Sequence, residues 1–165
     1  MTAKVFLTQE EALKLAFPEP ASPERRTAYL TADQAERIRE AAGTTPPARV
    51  VVYYAGGADP NRPITAWFET HVVRTLEETV MIVVGPEGKA SRVDILSFDE
   101  PEDYLPKRRW LDQFTGRPLD DDLSTKGVIR AVTGATLSSR AITEAVRRAL
   151  ATRAVVMAGE GGGRP

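Results

Sequence analysis

Residues 79–98 read TVMIVVGPEGKASRVDILSF, and this stretch decides the fold. Two runs rich in β-branched residues, 79–84 and 91–98, flank Gly85-Pro86-Glu87-Gly88-Lys89. That link supplies glycine where a turn needs positive φ, so the two runs fold as an antiparallel hairpin. In the second run Val93, Ile95 and Ser97 fall on one face and Asp94, Leu96 and Phe98 on the other, which predicts a sheet covered in part on both sides. Upstream, 49–54 (RVVVYY) and 65–74 (TAWFETHVVR) are further β runs bounded by Gly, Pro, Asn and Asp. Four strands with short links predict a mainly antiparallel, twisted sheet, and helices on either side of it in sequence make the chain α+β.

Those helices announce themselves by their starts. Leu7-Thr8 followed by Glu11-Ala12, and Leu30-Thr31 followed by Gln34, are capping boxes, with Leu7 and Ala12 placed as a hydrophobic staple. The first helix runs from 9 to about 17, stopped by Pro18 and Pro20, and the second from 32 to about 42, before Gly43. A Pro-rich link, 19–24, separates them, so 1–45 reads as a helical segment packing on the core. Beyond the hairpin come an acidic, Pro-punctuated loop (99–106), a short aromatic segment (107–114) and a second loop (116–122). A long helix then opens at about Ala135, with Leu137, Ala141, Ile142, Ala145, Val146, Ala149 and Leu150 at helical spacing. The body of the chain is 46–155, and 156–165 reads as a flexible tail with nothing to bury.

Composition removes much chemistry. The 165 residues carry 22 Lys and Arg against 23 Asp and Glu, for a formal net charge of −1. That balance makes no electrostatic case for nucleic acid. With no Cys and a single His, His71, the chain has no thiolate or multi-His metal centre and no Cys nucleophile, and without a GxSxG elbow nothing in it resembles a Ser-His-Asp set. Redox work would need an organic cofactor. No segment approaches the roughly 20 apolar residues of a membrane span, and Met1-Thr2-Ala3-Lys4 leads into a helix start instead of an apolar leader core. Asp120-Asp121-Asp122 lacks the alternating spacing of a calcium loop. Lys107-Arg108-Arg109 reads as a solvated face, with pairing to the acidic loop or docking of an anionic partner as alternatives. His71, within a β run, reads as a packed or hydrogen-bonded residue.

The chemistry concentrates at Thr133-Gly134-Ala135-Thr136-Leu137-Ser138-Ser139. A helix N-terminus presents unpaired N–H groups and about half a positive charge, so this turn could hold a phosphate, with Lys126, Arg130 and Arg140 as cations nearby in sequence. The plainer reading makes Thr136 or Ser139 an N-cap and Gly134 a turn residue.

This stretch resembles the flavinylation motif of the FMN-binding domain family, which includes the C subunit of the sodium-pumping NADH:quinone reductase and the G subunit of Rnf complexes. The likeness extends from about 80 to 150. It takes in the hairpin, the acidic loop, Gln113-Phe114-Thr115-Gly116 and Lys126-Gly127. The resemblance implies an FMN-binding domain over 46–155 whose FMN phosphate forms a phosphoester with Thr136, a phosphothreonyl-FMN installed by a separate flavin transferase. Thr133, Gly134, Ala135, Leu137, Ser138, Ser139 and Lys126 then surround the phosphate. Glu100 and Leu105 lie near the ring, and Phe98, Tyr104, Trp110 and Phe114 are candidates to cover it or to pack the core. Arg130 stands where the family pattern has Asp. FMN held without a covalent bond, with Arg130 pairing with the phosphate, is therefore one alternative, and an acidic role for Asp120, Asp121 or Asp122 another.

By the same resemblance the expected function is electron transfer between redox partner proteins, some membrane-associated, in an extracytoplasmic or periplasmic setting. The expectation is a carrier more than a stand-alone enzyme. Two rivals are a flavin-dependent reductase or oxidase acting on a diffusible substrate, and a flavin-free binding or sensory module.

Overall fold

Period-two alternation shapes the sheet. The computed structural model describes residues 4–18, 21–99 and 105–162. Its strands are β1 (Lys4–Val5), β2 (Glu24–Tyr29), β3 (Val50–Gly56), β4 (Ile64–Val73), β5 (Leu76–Val84) and β6 (Ala90–Phe98). They form one six-stranded sheet in the order β1-β6-β5-β4-β3-β2. Every neighbouring pair is antiparallel. Four of the strands are those read from the sequence.

Along β5 the side chains alternate between two cores. Val80, Ile82 and Val84 join one cluster with Tyr53, Trp67, Val93, Ile95 and Phe98, and Met81 and Val83 join another with Ala66, Leu96 and Phe17. Helices α2 (Ala32–Ala42) and α4 (Thr136–Gly162) supply Ile38, Ala42, Ile142, Ala145, Val146 and Ala149 to the first cluster; α1 (Gln9–Ala16) supplies Ala12 to the second. The sheet is thus covered on both faces, as its alternation implies. Within the larger core Tyr53 and Trp67 stack with ring centroids 4.5 Å apart.

Three features depart from the sequence reading. The segment 1–45 is not only helical: β2 pairs with β3 from Glu24↔Ala55 to Tyr29↔Val50, and β1 pairs with the end of β6. These are edge strands, and β2 (ERRTAY) has too few apolar residues to show a pattern. Secondly, Phe98 faces the α4 side and not the side of Leu96. Thr79 pairs with Ser97 but Val80 with Ile95, so Leu96 is the extra residue of a β-bulge that reverses the alternation. Thirdly, α4 runs to Gly162, through residues read as the start of a tail. Val156 is buried in the main core, and a Cβ on Gly159 would lie 3.2 Å from the Gln34 amide of α2, so packing sustains helix where local sequence would not.

Helix α4 is also tied down by charge. Arg147 donates to the carbonyls of Ala42 (2.7 Å), Asp120 (2.7 Å) and Leu123 (2.9 Å), fixing the end of α2 and the 120–123 loop to it. Arg148 donates to both carboxylate oxygens of Glu69 at 2.7 Å and to Thr44 Oγ1 at 2.9 Å. Among the described residues no helix is long and apolar enough to cross a membrane.

Candidate functional site

The first turn of α4 begins without a cap. Its opening helical bond runs from Ser139 N–H to the Ala135 carbonyl at 3.0 Å, and the turn before it closes from Ala135 N–H to Val132 O at 2.9 Å. Ala135 thus occupies the cap position and has no side-chain oxygen to offer. Neither Thr136 nor Ser139 is the N-cap. Among the described residues the N–H groups of Thr136, Leu137 and Ser138 find no acceptor. Gly134 reaches this turn at φ +84°, with open space where a Cβ would stand.

Two side-chain networks fix the loop that carries the motif. The Ser139 hydroxyl, fully buried, accepts from Val132 N–H (3.0 Å) and donates to Ala135 O (2.8 Å). Its role is to hold the loop against the helix, and its proton is committed there. Upstream, α3 (Arg108–Leu111) and the 3-10 turn Asp112–Phe114 grip the backbone of Arg130 from both sides. Trp110 Nε1 donates to the Arg130 carbonyl, and Arg130 N–H donates to Gln113 Oε1 at 2.9 Å. The exposed Arg130 side chain takes no part in that grip.

A cavity of about 400 Å³ opens at this helix start, lined by Val73 and Arg74 of the β4–β5 turn and by Gly134, Ala135, Thr136, Leu137 and Ser138. Thr136 is exposed; Ser138 is only 4 % exposed, and its hydroxyl has no hydrogen bond among the described residues. Thr133 is exposed just before the turn. Lys126 does not line this cavity. It lines a second one with Gly43, Asp121, Arg140 and Glu144, on another side of α4. The cation that does line the Thr136 cavity, Arg74, escaped the sequence reading because Arg74-Thr75 carries no Gly or Asn to mark a turn.

Of the candidates for covering a ring, Phe98, Trp110 and Phe114 are buried in the main core, the last two in an edge-to-face pair 5.3 Å apart. Leu105 is half-buried against that core. Glu100 and Tyr104 lie outside the described residues. Arg108, read as part of a solvated run, instead pairs with the buried Asp94 (2.6 Å) and with Asp112 (2.9 Å).

Behind the β4–β5 turn lies a buried charge cluster. His71 is held between Glu69 (2.9 Å) and Glu78 (2.6 Å), and Glu69 also receives Arg148. Burial opposes a charged ring, but the bonds to the two carboxylates outweigh it and lift His71 to about 9. Burial also acts on Glu69, where Arg148 and His71 prevail and hold its carboxyl below the usual range; at Glu78 burial prevails and pushes it up. This fits the reading of His71 as a hydrogen-bonded residue, with both partners now named.

Free helix-start donors, the unpartnered Ser138 hydroxyl and one cation around an open turn suit the phosphate of a cofactor, in an α+β domain with an antiparallel sheet. Residues 77–151 match the model of the FMN-binding domain family, which supports an FMN-binding domain over that stretch and FMN as the group it takes. The matched stretch spans β5, β6, the acidic loop, α3 and the first half of α4. No curated protein and no solved structure matches the chain.

Proposed function

We propose that this protein is an electron carrier whose FMN is joined through its phosphate to Thr136, passing electrons one at a time between redox partner proteins outside the cytoplasm. The observation that carries this reading is the placement of the Thr136 hydroxyl: exposed, on the first turn of an uncapped helix, in a cavity with Arg74 and the unpartnered Ser138 hydroxyl. Bound FMN supplies reversible redox chemistry that no side chain of this chain offers.

The attachment balances as a phosphoryl transfer. The Thr136 hydroxyl gives up its proton and bonds to the flavin-side phosphorus of a flavin pyrophosphate donor. The pyrophosphate P–O bond breaks, and a nucleoside monophosphate leaves with that proton. A flavin transferase is the partner that performs it. The N–H groups of Leu137 and Ser138 then face the one negative charge that the diester keeps.

Arg130 at the family's Asp position leaves this turn intact, because Trp110 and Gln113 hold its backbone and not its side chain. The test is coexpression with a flavin transferase, followed by intact mass and visible absorbance after denaturation. Wild type is expected to keep a flavin adduct that Thr136→Ala lacks. If wild type stays at apoprotein mass while Arg130→Asp gains the adduct, Arg130 blocks the modification, and any yellow colour of the native wild-type chain is FMN held without a bond. If neither ever holds flavin, the carrier reading is wrong and a flavin-free binding module takes its place. Steady-state NAD(P)H consumption by the loaded protein would favour a reductase instead.

A further inference from the structure

We propose that Arg74, in the β4–β5 turn, is the positioning residue for the FMN phosphate and the cation that selects a phosphorylated flavin. The inference rests on the flavin reading above and adds to it a residue outside both the motif and the matched stretch 77–151.

The cavity at Thr136 has one charged residue in its lining among the described residues, and that residue is Arg74. The cations nearest the motif in sequence are placed elsewhere: Lys126 and Arg140 line a different cavity, and Arg130 lines neither. Arg74 has no ion-pair or hydrogen-bond partner among the described residues, whereas Arg147, Arg148, Arg108 and Arg92 are all engaged. Across the cavity stands Ser138, more than nine-tenths buried with its hydroxyl unpartnered. That hydroxyl opens to the cavity and is free to bond a ligand there. A phosphate oxygen between that hydroxyl and a guanidinium satisfies both, and a guanidinium can hold two phosphate oxygens at once.

The backbone directs this placement. Val73 and Leu76 pair across the turn, leaving Arg74-Thr75 as the two-residue link, and Arg74 is the one non-glycine residue at positive φ (61°) among those described. Asn tolerates that conformation better than Arg, so an Arg74→Asn chain keeps the turn and loses only the charge.

The experiment titrates FMN and riboflavin separately into the full chain made without a flavin transferase, reading flavin fluorescence, for wild type, Arg74→Asn and Arg74→Lys. Arg74→Asn is expected to weaken FMN by about tenfold while leaving riboflavin, which lacks the phosphate, unchanged; Arg74→Lys recovers part of the loss. FMN and riboflavin weakened equally, or neither weakened, overturns the assignment. A wild-type chain that takes the adduct on coexpression but binds neither free flavin overturns the Arg74 assignment alone; one that also takes no adduct overturns the flavin reading itself, and the Arg74 assignment with it.

Discussion

Helices α1 and α2 begin in one way and α4 in another. Thr8 accepts from Glu11 N–H (3.1 Å) while Glu11 accepts from Thr8 N–H (3.0 Å), and Thr31 and Gln34 repeat the exchange at 3.1 and 2.9 Å. Both helices thereby satisfy two of their own orphan donors. Helix α4 has Ala135 at its cap position and leaves its first-turn donors facing a cavity. It is held instead along its body, by Arg147 on the carbonyls of α2 and the 120–123 loop and by Arg148 on Glu69. A helix secured by tertiary contacts along its body can leave its N-terminus open for a ligand, where α1 and α2 close theirs with their own side chains.

The sharpest way to break this arrangement is to release the body of α4. Glu69→Ala leaves Arg148 and His71 as buried cations with no shared carboxylate, and should lower stability by about 3–5 kcal/mol in urea unfolding. A loss below about 1 kcal/mol, within the range of a surface pair, would show that α4 does not depend on this anchor.

The same anchor titrates. His71 rises from 6.5 to about 9 on folding, so the folded chain holds this proton more tightly than the unfolded one. Its contribution is complete below pH 6.5 and is lost as pH climbs through about 9, on the order of 3 kcal/mol at most. Unfolding midpoints measured across that window should fall for wild type. They should be nearly flat for His71→Gln, which has no proton to lose there; parallel curves for the two would reject the assignment.

The smallest effects come from exchanging the two kinds of helix start. Thr31→Ala removes one capping box and should cost about 1 kcal/mol, with flavin binding unchanged. Ala135→Ser gives α4 the cap it lacks. It should raise stability by about 0.5–1 kcal/mol and weaken FMN, because a hydroxyl now competes for the N–H groups that face the cavity. Stability and FMN affinity rising together would mean that those donors do not serve the ligand.

Much of this was legible along the chain. The capping boxes were readable because their partners lie three residues apart, and α2 ends at Gly43, in the left-handed region, where the sequence placed its stop. The central strands were readable because β-branched runs fill a sheet buried on both faces. The motif turn was readable as a loop entering a helix, with Gly134 where φ is positive. Other parts left no local trace. Strand β2 is polar at four of its six positions and gains its structure from β3, and the bulge at Leu96 exists only as a mismatch between two strands. Gly127 reads as an ordinary loop glycine, yet a Cβ there would stand 2.2 Å from the Asp122 carbonyl oxygen.

The sequence by itself determined the antiparallel hairpin at 79–98, the two capped helices, the amphipathic α4 and the hydroxyl-rich turn that opens it. Each depends on residues within one turn or one strand of each other, where propensity and side-chain reach act directly. Only the tertiary structure decided which cation faces Thr136, which carboxylates hold His71, and how far α4 continues. Those choices depend on strand register and on helix packing across the sheet. Pairing of β4 with β5 carries Arg74 to the start of α4, while Lys126, nearer in sequence, is turned to another side of the helix.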